Sequence, residues 1–301
     1  MTACGRRTLP PANLQDLPVR YVSGDFETPG QFDRCIAGND LVVDAAAPYP
    51  LDIFSPLSDG GKDSIAHADR RTRRLLKTIS KYHARLVYVS SFVTLVRPVT
   101  SVQRFEHQMV RLAHPYFEVK QLIESQMIDA GRRGVPIVIA NPTYCVGPWD
   151  LRDRQLCTIP LLLGGEIPSS ITQMLNVIDV RDVAAAIMAA IDAEHYGEPI
   201  QMSGHNISTD EFYSMICEIG GVPRPMFSTA SPVALAGAYA IELMMGAIGE
   251  RTRLPAGGMM MATLFNYMTP GRQLQELGIN PRPLSESIVD AINWYRHIGH
   301  C

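Results

Sequence analysis

Arg85-Leu-Val-Tyr-Val-Ser-Ser91 and, further along, Tyr116-Phe-Glu-Val-Lys120 are the stretches on which fold and chemistry turn. The first is an apolar run that ends in hydroxyls, and it reads as a buried strand with Ser91 at its carboxyl end. The second places a tyrosine and a lysine four apart, about one turn from each other on one helix face. An ammonium beside a phenol favours the phenolate, so Lys120 is expected to draw the Tyr116 pKa down from about 10 toward neutrality. A tyrosine so tuned can protonate or deprotonate an alcohol or carbonyl oxygen, and the Ser91 hydroxyl is placed to hold that oxygen. A lone Y-x-x-x-K arises by chance in many chains, so the reading depends on what surrounds it.

Upstream, Thr2-Ala-Cys-Gly5 reads as the end of a strand, and Pro10-Pro11 breaks the chain. Val19-Arg-Tyr-Val22 is a further strand, closed by Gly24-Asp25. Residues 29–38 form a short helix with Phe32, Cys35 and Ile36 on one face and Gly38 suited to its C-terminal cap. Leu41-Val-Val43 is a buried strand running into Ala45-Ala-Ala47. A loop over 49–63 precedes a long helix over 64–82, with Leu75, Leu76 and Ile79 inward. A variable loop over 95–112 and a helix over 113–133 follow, then the strand Val135-Pro-Ile-Val-Ile139, ending at Asn141-Pro142. Strands alternating with helices at this spacing argue for an α/β fold with a parallel, doubly wound sheet. Residues 150–172 are loop-rich and begin a smaller lobe; 177–180 return to the sheet, Asp182 opens an alanine-rich helix, and Thr209-Asp-Glu-Phe opens another.

In order and spacing, Gly24-Asp-Phe26, Asp44-Ala-Ala-Ala47, Val87 to Ser91, Tyr116 to Lys120, Asn141-Pro-Thr-Tyr-Cys-Val-Gly-Pro148, Val180-Arg-Asp-Val-Ala184 and Leu277 to Leu284 with Trp294 are similar to one family. The chain resembles the extended short-chain dehydrogenase/reductases, the NAD-dependent epimerase/dehydratase superfamily, and most of all their dihydroflavonol-reductase and 3β-hydroxysteroid-dehydrogenase branch. The resemblance implies a Rossmann-like dinucleotide-binding domain over 1–150, with 174–203 returning to it, and a C-terminal substrate-binding lobe over 151–173 and 204–301. It implies Ser91, Tyr116 and Lys120 as catalytic residues, with Lys120 also on the cofactor ribose. Arg6 or Arg7, after the family's second strand, would meet the 2′-phosphate of NADP(H), which is therefore favoured over NAD(H); as plain residue types they read equally as solvated surface arginines. Asp25 and Phe26 would face the adenine, although Asp25 also reads as a turn residue. Ala46 and Ala47 would allow close approach of the cofactor or merely pack the sheet, and Pro142 and Thr143 would line the nicotinamide site.

The sequence departs from this pattern in three places. No glycine-rich turn between a first strand and a helix, the usual diphosphate seat, stands before the segment matching the second strand. Because that first strand lies mid-sheet, its absence would expose two strand edges. Three explanations stand: in-frame sequence upstream of Met1 that encodes the unit, a second strand slid into the gap, or a cofactor-free relative. The family's Gly-Thr-x-Asn in the long helix reads Arg71-Thr-Arg-Arg74 here, which puts in doubt the hydrogen bonds its Asn gives the active-site backbone. Asp179 stands where many relatives carry a histidine.

Composition narrows the classes. The 301 residues carry a net charge of −3 with no basic run, which argues against nucleic acid. Six cysteines without C-x-x-C spacing read as free thiols of a reducing compartment, and the N-terminus has no signal-like apolar run, so a cytoplasmic location is expected. Residues 231–249 are nearly all apolar but carry Glu242, and read as a buried lobe helix, a lipid-surface or apolar-substrate helix, or a span. His114 reads as a relay or a surface histidine, and the tail His297-Ile-Gly-His300-Cys301 as a disordered end rather than a metal site. In relatives the two long helices commonly make a homodimer interface. The expected function is an NADP(H)-dependent oxidoreductase acting on a secondary alcohol or ketone; a sugar-nucleotide epimerase/dehydratase and a non-catalytic, cofactor-free binding protein are the alternatives.

Overall fold

A computed structural model describes residues 1–14, 17–26, 28, 30–48, 50, 59–97, 100–101, 104, 107–108, 111, 115–230, 237, 240–241, 244–245 and 272–301. The apolar runs become β3 (Leu41–Asp44), β4 (Arg85–Val89), β5 (Ile137–Pro142) and β9 (Pro199–Met202), which form one parallel sheet in the order β3-β4-β5-β9. β4 and β5 are covered on both faces, which is why they read as near-continuous apolar runs. Leu86, Tyr88, Ile137 and Ile139 pack beneath α2 (Asp59–Tyr82) and α3 (Pro115–Arg132) against Leu75, Ile79, Val119, Ile123 and Met127. Val87, Val138 and Ala140 face α5 (Val180–Asp192) through Val183, Ala186 and Ala190.

β1 (Thr2–Gly5) and β2 (Arg20–Ser23) make a separate two-stranded parallel sheet. α1 (Gln31–Ile36) ties it to the main body, because Phe32 and Ile36 enter the core beneath α2. Gly38, at φ 77°, takes the left-handed conformation after that helix, as its position suggests. Among the described residues β1 pairs only with β2 and β3 only with β4. The second strand has therefore not slid into the main sheet, and Val43 on β3 is 54% exposed.

The lobe holds β6 (Tyr144–Val146), β8 (Met174–Asp179) and β10 (His205–Ser208) in a sheet ordered β10-β8-β6, and β7 (Ser169–Thr172) paired with β11 (Phe227–Ala230). The strand read at 177–180 is β8, so it belongs to this second sheet, while α5 and β9 rejoin the main one. The region read as loop over 150–172 contains β7 and α4 (Thr158–Leu163), a helix too short to show a period. α2 starts earlier than its apolar pattern, at Asp59, and includes Gly60 and Gly61. α6 (Thr209–Gly220) opens with a capping box in which Ser208 and Glu211 bond reciprocally. α7 (Gln273–Glu276) and α8 (Leu284–His297) close the lobe, with Ile288, Ile292 and Trp294 packed on Phe212 and Ile216. Asp179, rather than Asp182, caps α5: its carboxylate accepts from Arg181 N at 2.7 Å and from the Arg181 guanidinium. That accounts for an acid at this position.

Asp150 pins the loop after β6 to α8. Its carboxylate accepts from Arg152 at 2.7 Å and from the Tyr295 hydroxyl at 2.8 Å, and its carbonyl from Trp294 Nε1 at 2.8 Å. Burial pushes this carboxyl up, but the Arg152 hydrogen bonds and charge outweigh it and hold the pKa at about 2. The folded pKa lies below the unfolded one, so this stabilisation is present above about pH 4 and is lost between about pH 4 and pH 2. Asp150→Asn should cost about 1–2 kcal/mol at pH 7 after allowance for solvent screening. It should also flatten the acid limb of the urea midpoint between those pH values; an unchanged limb would show that Asp150 contributes nothing there.

Candidate active site

Ser91 stands where the main sheet's central strand gives way to a 3₁₀ turn, Phe92–Thr94, and its Oγ accepts from Val93 N at 3.5 Å. α3 crosses behind this turn with Tyr116 in its first turn and Lys120 one turn on. The spacing read from the sequence therefore brings both to the carboxyl end of β4. Lys120 Nζ donates to Val89 O at 3.2 Å and lies 5.9 Å from the Tyr116 ring centroid and 5.5 Å from that of Tyr88. Tyr116 packs in one core cluster with Phe92 and Val93, the residues following Ser91. All three site residues are buried: Ser91 is 7% exposed, and Tyr116 and Lys120 are each 5% exposed. Burial pulls the Lys120 pKa down to about 8; Asp44 and Glu124 oppose that shift and Arg71 adds to it.

Two further buried residues, Glu124 and Asn141, hold the turn in shape. Glu124 Oε2 accepts from Ser90 Oγ at 2.5 Å, Thr94 Oγ1 at 2.7 Å and Asn141 Nδ2 at 2.6 Å. Asn141 Nδ2 also reaches Ser91 O at 3.0 Å. The chain thus has a side-chain amide on the active-site backbone although Arg74, at the family's Asn position, is exposed. One signal was available for Glu124: it lies four residues after Lys120 and eight after Tyr116, on their helix face. Asn141 could be read only as the end of a strand.

Arg71 turns inward, where the resembled pattern has glycine. It forms a forked pair with Asp44 at 2.8 Å and 2.8 Å, and its guanidinium stands over Phe26 and Phe32 at 5.9 and 5.7 Å.

The cofactor candidates lie at the carboxyl ends of parallel strands, where ligands of open α/β sheets bind. Arg6 and Arg7 are exposed after β1, and the Arg7 carbonyl accepts from Tyr21 Oη at 2.9 Å. Asp25 is exposed and Phe26 half-buried after β2; Ala46 is exposed and Ala47 half-buried after β3. Pro142 ends β5 opposite Met202. The Thr143 hydroxyl turns away into the lobe and donates to Asn176 Oδ1 at 2.7 Å. Ala46 and Ala47 follow β3 and Pro142 ends β5, the two strands on either side of β4. For a cofactor diphosphate, no glycine-rich turn leads from a strand into a helix among the described residues.

A model of the NAD dependent epimerase/dehydratase family matches residues 2–202. The chain belongs to this family. A Synechocystis sp. (strain ATCC 27184 / PCC 6803 / Kazusa) protein provisionally named dihydroflavonol 4-reductase is 27% identical over 96% of this chain and 85% of its own length. Sterol demethylase protein B of Methylococcus capsulatus (strain ATCC 33009 / NCIMB 11132 / Bath) is 25% identical over 98% of this chain and 90% of its own. The crystal structure of gox2253 superimposes with a TM-score of 0.76 at 24% identity, covering 99% of this chain and 90% of that one, which shows the fold. For an epimerase/dehydratase family member, the Rossmann-like parallel sheet is the expected frame, and here it sets Ser91, Tyr116 and Lys120 at one end of β4.

Other candidates fall elsewhere. His114 lies outside the described residues, as does 231–249 apart from 237, 240–241 and 244–245, of which Ile241 and Met244 are exposed. Among the described residues no helix is long and apolar enough to cross a membrane, and no three His, Cys, Asp or Glu side chains gather as metal ligands. The tail is packed rather than loose: His300 stacks on Tyr295, and its carbonyl accepts from Arg154 Nε at 2.8 Å. All six cysteines are free thiols.

Proposed function

We propose that the chain is an NADP(H)-dependent oxidoreductase acting on a secondary alcohol or ketone. The observation that carries this reading is the Lys120 ammonium held on the Val89 carbonyl beside the Tyr116 ring, with Ser91 at the same strand end. When bound, the nicotinamide cofactor supplies or accepts hydride. The chain's residues do the rest. The Ser91 hydroxyl holds the substrate oxygen, Tyr116 gives or takes a proton at its phenolic oxygen, and Lys120 favours the phenolate while reaching the cofactor ribose. Their burial keeps water from the proton being moved. NADPH-dependent loss of ketones from a panel of small and apolar compounds tests the reading, and a folded chain inactive on every member in both directions would count against it.

NADP(H) is favoured because Arg6 and Arg7 are exposed at the carboxyl end of β1. The 301-residue chain should bind NADPH with a Kd above about 1 µM, since among the described residues no glycine-rich strand-to-helix turn offers the diphosphate a helix N-terminus. NADPH should still bind ahead of NADH, and Arg6→Ala with Arg7→Ala should erase the difference. Calorimetry checks this, and equal affinities in the parent chain would remove the NADP assignment. Among the described residues β1 and β3 each pair with one strand, which leaves room for a second reading, a non-catalytic binding protein, and failure of a folded chain to bind either cofactor would support it.

A further inference from the structure

Asp44 and Arg71 form a buried ion pair beside the catalytic lysine, at 6% and 4% exposure. In the β3/β4 register Asp44 lies opposite Tyr88, so both side chains project to the face covered by α2 and α3. Lys120 Nζ sits over the Tyr88 ring on that face. Among the described residues, the charged and titratable groups that act on or lie beside Lys120 are Asp44 from β3, Tyr88 from β4, Arg71 from α2, and Tyr116 and Glu124 from α3. Glu124 is committed to Ser90, Thr94 and Asn141. A buried ammonium tends to lose its proton unless a nearby carboxylate holds it. Asp44 supplies the larger such charge and Glu124 the smaller, and Arg71 both orients Asp44 through two hydrogen bonds and partly cancels it.

We propose that the Asp44–Arg71 pair sets the charge of Lys120, so that both are positioning residues for the reaction without touching substrate. Asp44 keeps the buried amine protonated at neutral pH, the form that can favour a Tyr116 phenolate, and Arg71 prevents Asp44 from collapsing onto Lys120 as a closed pair. Only the catalytic consequence rests on the proton-transfer reading above; the charge coupling does not.

The chain has four lysines, Lys62, Lys77, Lys81 and Lys120, so the Lys120 signal of a ¹³C-lysine-labelled protein can be assigned with Lys120→Arg. In the parent chain burial should hold it below the ordinary lysine value, toward about 8; the coupling itself is read from the shifts in the variants. Asp44→Asn should lower the midpoint by about one pH unit, and Arg71→Met should raise it by less. Because Asp44 acts more strongly on Lys120 than Arg71 does, the double variant should fall below the parent yet above Asp44→Asn. If one single variant does not fold, the other decides together with the double variant, and midpoints unmoved in both overturn the coupling. The alkaline limb of turnover should shift in the same order. Midpoints that move while turnover does not follow would retain the coupling and remove Lys120 from catalysis.

Discussion

Tyr116→Phe is expected to lower ketone turnover by at least about 100-fold and up to about 10⁴-fold, the range that a positioned proton donor contributes. The substitution removes one oxygen and keeps the ring. That ring is buried in the cluster that holds Phe92, Val93 and Phe117, so folding stability should change little. Cofactor affinity should stay within about twofold, because Tyr116 is assigned only to the proton. Lys120→Ala should reduce both turnover and cofactor affinity, since its amine serves the phenol and the ribose. Steady-state kinetics with calorimetry on the same preparations separate the two. Retention of most activity by Tyr116→Phe would end the dehydrogenase reading.

Glu124→Leu should have the largest effect among residues that touch no ligand. It strips the acceptor from Ser90 Oγ, Thr94 Oγ1 and Asn141 Nδ2 inside a buried site. An unsatisfied buried donor costs about 1–3 kcal/mol. Thr94 can still donate to the Ser91 carbonyl, which it reaches at 2.8 Å, and Asn141 to Ser91 O and Thr94 Oγ1. A total loss of roughly 3 kcal/mol is therefore expected rather than the full sum. The Val89–Ser91 backbone should loosen with it, lowering kcat more than it raises KM. Glu124→Gln retains an acceptor oxygen and nearly the same volume, and should restore most of the stability and turnover. If Leu and Gln behave alike in urea unfolding and in kcat, the hydrogen bonds do not position the turn.

The two predictions draw on different kinds of information. Tyr116 and Lys120 were legible because a four-residue separation on a helix determines which side chains neighbour each other, whatever the rest of the chain does. Ser91 was legible because an apolar run ending in hydroxyls marks a strand leaving the core. Glu124 was less so, since a glutamate on a helix is ordinarily solvated, and only the docking of the 90–94 turn and the end of β5 onto α3 makes it a buried acceptor. Arg71 was legible only as a departure from the resembled glycine; its burial on Asp44 depends on a strand 27 residues earlier.

By itself, then, the sequence determined what depends on neighbours along the chain. It set the alternation of strands and helices that forms a parallel sheet, the Tyr116–Lys120 face, the helix opening at Thr209 and the left-handed turn at Gly38. Tertiary structure decided what depends on partners distant in the chain. β8 joined β6 and β10 instead of the main sheet, β1 and β2 formed a sheet of their own, and Asp44 found Arg71 across 27 residues. The physical reason is that hydrogen-bonding periodicity is a local property of the backbone. The cost of burying a charge or leaving a strand edge open is set by whatever packs against it, and that is known only once the chain has folded.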